Sequence, residues 1–138
     1  MDRPDVLVLD ASALFLPFEL GIDLEKELAR LMPGTRIVLP DPVAAEVAHV
    51  AEHGTGPSKR HAKAAVAYLA RFERYAIGGH GDDVVIQVGR KLEKEGNTVG
   101  IATTDQKMRF RARNKGWPVF TVKGRQPYVD GLDSPSVG

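Results

Sequence analysis

The sequence predicts an α/β layer fold with a mostly parallel sheet, and three observations predict it. Short apolar runs rich in β-branched residues recur at Val6–Leu9, Arg36–Leu39, Thr98–Ala102 and Pro118–Val122, and these read as buried strands. Capped amphipathic segments of helical length separate them, which makes the layers alternate. The first run stops on Asp10, and the third of these runs stops on Thr103-Thr104-Asp105. Carboxylates at the carboxyl ends of strands stand where open α/β sheets place their ligands.

The elements follow in order. Val6-Leu7-Val8-Leu9 is the opening strand, and Ala11 to Leu16 allows a helical turn before Pro17 and Gly21 interrupt it. Asp23 caps a helix to about Met32, with Leu24, Leu28 and Leu31 on one face. After Pro33-Gly34 and the second strand, Asp41-Pro42 is a helix start, a capping Asp followed by Pro at the first helical position. Val43, Val47 and Val50 form its apolar stripe, and Glu46 falls within that stripe. A Glu there is either a side chain snorkelling at the core rim or a functional group. His53 to His61 reads as a basic loop, followed by a helix from Ser58 to about Arg74 and a minimal strand at Tyr75–Ile77. Gly78-Gly79-His80-Gly81 is a turn, Asp82-Asp83 opens a helix to about Glu95, and Gly96 stops it. Lys107 to Lys115 has basic residues at every second position, as on a strand, but Gly116 and Pro118 beyond it mark a helix. From Gln126 onward the chain is rich in Gly, Pro, Ser and Asp and is expected to be a loose tail.

Composition narrows the function. The chain has 138 residues, no cysteine, and 19 basic against 18 acidic residues for a net charge of +1. One domain is expected. Disulfides and thiolate metal sites are excluded, and contact with nucleic acid has to come from local patches. No apolar run reaches the roughly 20 residues of a membrane span, and Met1-Asp2-Arg3-Pro4 lacks a secretory pattern, so a cytoplasmic location is expected.

Asp10, Glu46, Asp82 and Asp105 are the residues most able to carry chemistry. Asp10 and Asp105 follow strands, and Glu46 and Asp82 lie in first turns of helices that begin at the same sheet edge if the crossovers are right-handed. Each Asp alone reads equally well as a helix cap. Together, ionised carboxylates need a cation to share one site. All-oxygen donors suit Mg²⁺ or Mn²⁺, which activate water and stabilise a leaving oxygen in phosphodiester hydrolysis. Helix periodicity assigns the site position to Asp82: steps of three and four from it reach Val85, Ile86, Gly89, Leu92 and Glu93, whereas Asp83 leads a mainly polar stripe.

These motifs resemble those of PIN-domain nucleases: Leu9-Asp10-Ala11-Ser12-Ala13-Leu14, Glu46 in its helix, Asp82-Asp83-Val84-Val85, and Ala102-Thr103-Thr104-Asp105, in that order and over about residues 5–123. The resemblance implies a three-layer α/β/α fold around a central five-stranded parallel sheet. It implies a nuclease domain over residues 1–125, with 126–138 as tail, and metal-dependent endoribonuclease activity with catalytic metal ligands Asp10, Glu46, Asp82 and Asp105. Ser12 and Thr104 match secondary positions of the family pattern, and Asp83 is a secondary acid. Leu16–Asp23 looks more like archaeal housekeeping members, similar to rRNA-processing nucleases, than like VapC-type toxins. A toxin of a toxin–antitoxin pair is the alternative. RNA is the implied partner, and a homodimer, an antitoxin or a ribosomal precursor stay open beside it.

Other readings fit less well. A receiver-like signalling module needs an acidic pair after its first strand, where only Asp10 stands. A non-catalytic RNA-binding scaffold would use the basic segments and leave the carboxylates idle. No GxGxxG follows the first strand, so a Rossmann nucleotide site lacks support. Lys59, Arg60, Lys107, Arg109, Arg111 and Arg113 are candidates for RNA backbone contact. The four histidines read as surface or rim residues, and Trp117 and Phe120 as core.

Overall fold

The computed structural model describes residues 3–132. In chain order the strands are β1 (Val6–Leu9), β2 (Arg36–Pro40), β3 (Glu73–Tyr75), β4 (Val99–Ala102), β5 (Val119–Lys123) and β6 (Gln126–Asp130). The helices are α1 (Ala11–Leu14), α2 (Leu16–Glu19), α3 (Leu24–Leu31), α4 (Asp41–His53), α5 (Gly56–Leu69), α6 (Asp83–Lys94) and α7 (Gln106–Asn114). The sheet order is β3-β2-β1-β4-β5-β6. Strands β1 to β5 pair in parallel, and β6 pairs with β5 antiparallel.

The middle of this sheet is the driest part of the molecule. Every residue of β1 and β4 is buried, as expected for strands covered on both faces. Helix α6 packs on β1, β2 and β4 with Val84, Val85, Ile86, Val88, Gly89 and Leu92 buried. Gly89 is there because of closeness: a Cβ on it would stand 2.6 Å from the Trp117 ring, and Trp117 Nε1 donates to Glu93 at 2.9 Å. Trp117 and Phe120 are core residues, as expected. Gly96, at φ +96°, closes α6 with its N–H donating to Glu93 O and that of Asn97 donating to Leu92 O, a Schellman-type stop.

Four expectations need correction. The sheet has six strands, because β6 forms inside the expected tail. The turn at Gly124-Arg125 brings it back on β5, and Asp130 ties it to Arg109 and Arg113 of α7 at 2.8 and 3.7 Å; residues 133–138 of that tail lie outside the described residues. The basic loop is only Gly54-Thr55, since Pro57 falls in the first turn of α5, where its missing N–H costs nothing. Helix α5 ends at Leu69, before Arg74, and β3 begins at Glu73, because parallel pairing of Val38 with Glu73 and the Arg36–Glu73 ion pair draw the chain into the sheet. Asp41 does not cap α4 with its side chain. It is the first helical residue and faces Arg74 at 3.4 Å. No helix among the described residues is long and apolar enough to cross a membrane.

Candidate active site

The site begins with the pairing of β1 and β4. Their register sets Leu9 beside Ala102, so the residues that follow, Asp10 and Thr103, leave the sheet side by side. Asp10 holds the N-cap position of α1 with extended backbone, yet its side chain makes no capping bond. Its Oδ2 accepts from Thr103 Oγ1 at 2.6 Å and from Ser12 Oγ at 2.9 Å. Those hydroxyls are held in turn: the Thr104 N–H donates to Ser12 Oγ at 2.9 Å and the Asp105 N–H to Thr103 Oγ1 at 3.0 Å. Each hydroxyl has one proton; both stand within donating distance of Asp10, and the two hydroxyl oxygens lie 3.0 Å apart.

Burial pushes the Asp10 carboxyl above its ordinary value of 3.8, the two hydroxyls pull it down, and the charge of Asp82 pushes it up again. Asp10 is 7 % exposed, and Thr103 is fully buried. The three causes can be separated: desolvation and a like charge disfavour the ionised form, and donated hydrogen bonds favour it.

Glu46 reaches the same place from α4. Val43 and Val47 on either side of it are buried, but Glu46 itself stays exposed at the rim. Its carboxyl lies above the ordinary 4.5, first through partial loss of water, then through the charges of Asp10 and Asp82. Asp82, the residue before α6, is exposed and makes no capping bond. The structure therefore brings Asp10, Glu46 and Asp82 into one field. Asp83 points elsewhere and pairs with Arg111 at 2.8 Å.

Asp105 is used differently. Its Oδ1 caps α7, accepting from the Lys107 and Met108 N–H groups at 2.8 and 3.4 Å. It connects to Asp10 through the Thr103 hydroxyl, which accepts from the Asp105 N–H and donates to Asp10. Among the described residues, no group of three His, Cys, Asp or Glu side chains stands close enough to cage an ion.

Two sequence expectations shift. The hydroxyl addressed to Asp10 belongs to Thr103; Thr104 contributes its backbone N–H to Ser12. No local pattern distinguishes two adjacent threonines, but aligning the ends of β1 and β4 would have selected the first. The arginines of α7 are also occupied. Arg109 binds Asp130 and Gln106, Arg111 binds Asp83, and Arg113 binds the Trp117 carbonyl oxygen and faces Asp130. Lys59 and Arg60 are the fourth and fifth residues of α5, and they and Lys107 form no ion pair among the described residues.

A family model described as a PIN-like domain matches residues 7–125. No curated protein matches the chain. Among solved structures, the PIN domain endonuclease Utp24 aligns with a TM-score of 0.68 and 22 % sequence identity, over 93 % of this chain and 96 % of that chain. At that identity the likeness establishes the fold.

Proposed function

This chain belongs to the PIN-like domain family, and from that premise we propose that it is a metal-dependent endoribonuclease that hydrolyses RNA phosphodiester bonds. The observation that carries the reading is the shared field of Asp10, Glu46 and Asp82. At one sheet edge the charge of Asp82 raises the proton affinity of Asp10, and the charges of Asp10 and Asp82 raise that of Glu46, an arrangement with no benefit to the fold. A divalent cation removes that penalty.

The donor set fits such an ion by chemistry, being all carboxylate oxygen with hydroxyl support and no sulfur. Asp10, Glu46 and Asp82 would hold it, with the free oxygen of Asp105 at the margin; Mg²⁺ and Mn²⁺ suit these ligands equally. When bound, the ion supplies an activated water and stabilisation of the leaving oxygen. The chain's own residues do the rest. Ser12 and Thr103 fix the Asp10 carboxylate by donating to one oxygen, which leaves the other for the site. Glu46, exposed at the solvent edge, would complete the ligand set from α4. The structurally similar Utp24 is an endonuclease, which supports internal cleavage. Leu16–Asp23, with its likeness to housekeeping members, favours processing of ribosomal RNA over a toxin's role.

The test is cleavage of an internally labelled single-stranded RNA. Mn²⁺ or Mg²⁺ should support it, EDTA should stop it, and added metal should restore it. Cleavage that persists under chelation overturns the proposal. A second readout is independent of turnover: Mn²⁺ should raise the melting temperature of wild type and not of Asp10→Asn.

A further inference from the structure

Helix α7 carries an exposed aromatic ring that neither the core nor the carboxylate site uses. Phe110 is 61 % exposed, and among the described residues only Val66 is another large hydrophobic left open. Met108 and Ala112 of the same helix are buried against the sheet, so Phe110 stands on the opposite, outward side.

Its neighbours are cations and amides. Steps of three and four along the helix put Gln106, Lys107, Arg113 and Asn114 beside Phe110, with Arg111 next to Lys107. The Arg109 guanidinium lies 5.3 Å from the ring centroid, within cation–π range. That guanidinium is fixed by Gln106 at 2.6 and 3.0 Å and by Asp130 at 2.8 Å. Arg109, expected to bind phosphate, is thus a strut over one face of the ring, and the other face is left for a base. On the other flank Arg111 joins α7 to Asp83, the residue next to Asp82. Phe110 lies five residues beyond Asp105, about 7.5 Å along the helix axis.

We propose that Phe110 is a base-stacking platform that holds a single-stranded RNA beside the carboxylate site, with Lys107 on the adjoining phosphate; the proposal rests on the endoribonuclease reading. Single-strand binders combine cations that follow the backbone with aromatic faces that accept any base. A lone ring among cations fits that ligand. A protein partner would be met by a continuous apolar patch, which this surface does not form.

The test is binding of a fluorescein-labelled oligouridylate in Mg²⁺ by fluorescence anisotropy, with Asp82→Asn as background so that the strand stays intact. Phe110→Ala should weaken binding about tenfold without changing its salt dependence, and Phe110→Trp should restore it. Lys107→Ala should flatten the salt dependence by about one phosphate. An oligomer of abasic sites should bind weakly, and equally with or without the ring. RNA bound with the same affinity before and after Phe110→Ala overturns the stacking role alone and turns this surface over to another partner. A loss that Phe110→Trp does not repair, or that abasic RNA shows equally, also overturns it. No RNA binding by the background protein at low salt overturns this inference together with the function on which it rests.

Discussion

Two ends of neighbouring strands look alike in sequence and do different work. Strand β1 runs out on Asp10 and strand β4 on Asp105, each followed at once by a helix. Asp105 does what a strand-end Asp before a helix ordinarily does: it caps, accepting two N–H groups of α7. Asp10 occupies the same cap position of α1 and declines it. Its carboxylate instead takes hydroxyl protons from Ser12 and Thr103, loses most of its water, and lies in the field of Asp82. A helix of four residues has little dipole to offer, whereas two hydroxyls at 2.6 and 2.9 Å offer charge-assisted bonds. The comparison teaches that a cap motif states where a carboxylate is and not what it holds.

The largest expected effect breaks the contrast at Asp10. Asp10→Asn should reduce metal-dependent cleavage by 100-fold or more, on the order of 3 kcal/mol or more in the transition state. The metal-free fold should not suffer. Because the folded-state value of Asp10 is raised from 3.8, its contribution to stability is present below that ordinary value and is lost as pH rises through the folded value. Metal-free Asp10→Asn should therefore melt at or above wild type at neutral pH, with the difference vanishing in acid. A neutral-pH melt well below wild type would make Asp10 a structural residue like Asp105.

Thr103→Val keeps the shape but removes the hydroxyl that links the two strand ends. It leaves Asp10 short of a donor and the buried-side Asp105 N–H short of an acceptor, a cost of about 1–3 kcal/mol in stability. Since that hydroxyl lowers the Asp10 value, the acid limb of the cleavage–pH profile should move to higher pH. A stability loss with an unmoved profile would limit Thr103 to packing. Asp105→Ala, by contrast, should cost about 1 kcal/mol through loss of the α7 cap, and Asp105→Asn should recover most of that loss in a thermal melt. If Asp105→Asn has normal stability and no cleavage, Asp105 serves the metal as well as the cap.

The smallest effect is expected at the second acid of α6. Asp83 is exposed and paired with Arg111 across the surface, and such pairs contribute about 0–1 kcal/mol. Asp83→Asn should keep a measurable fraction of activity, and Asp82→Asn should lose it. The reverse result would mean that α6 presents its other face to the site.

Much of the arrangement was legible in the chain. Apolar runs at Val6–Leu9 and Val99–Ala102 located the two central strands, because a strand buried on both faces has no choice but continuous hydrophobicity. The Gly116 stop signal identified α7 as a helix despite its alternating charges. The β3 boundary and β6 were not legible. Both depend on strand pairing with a distant partner, and β6 is held by Asp130 meeting arginines of α7 that local sequence left pointing to solvent. The same limit applies at the site. Sequence alone supplied the candidates, Asp10, Glu46, Asp82 and Asp105, and the strand-end or helix position of each. Only the tertiary structure decided that Thr103 and not Thr104 faces Asp10, because that hydrogen bond spans 93 positions and follows from the register of β1 on β4, and that Arg109 and Arg111 are already paired, because Asp130 and Asp83 reach α7 from β6 and the start of α6, which no local pattern encodes.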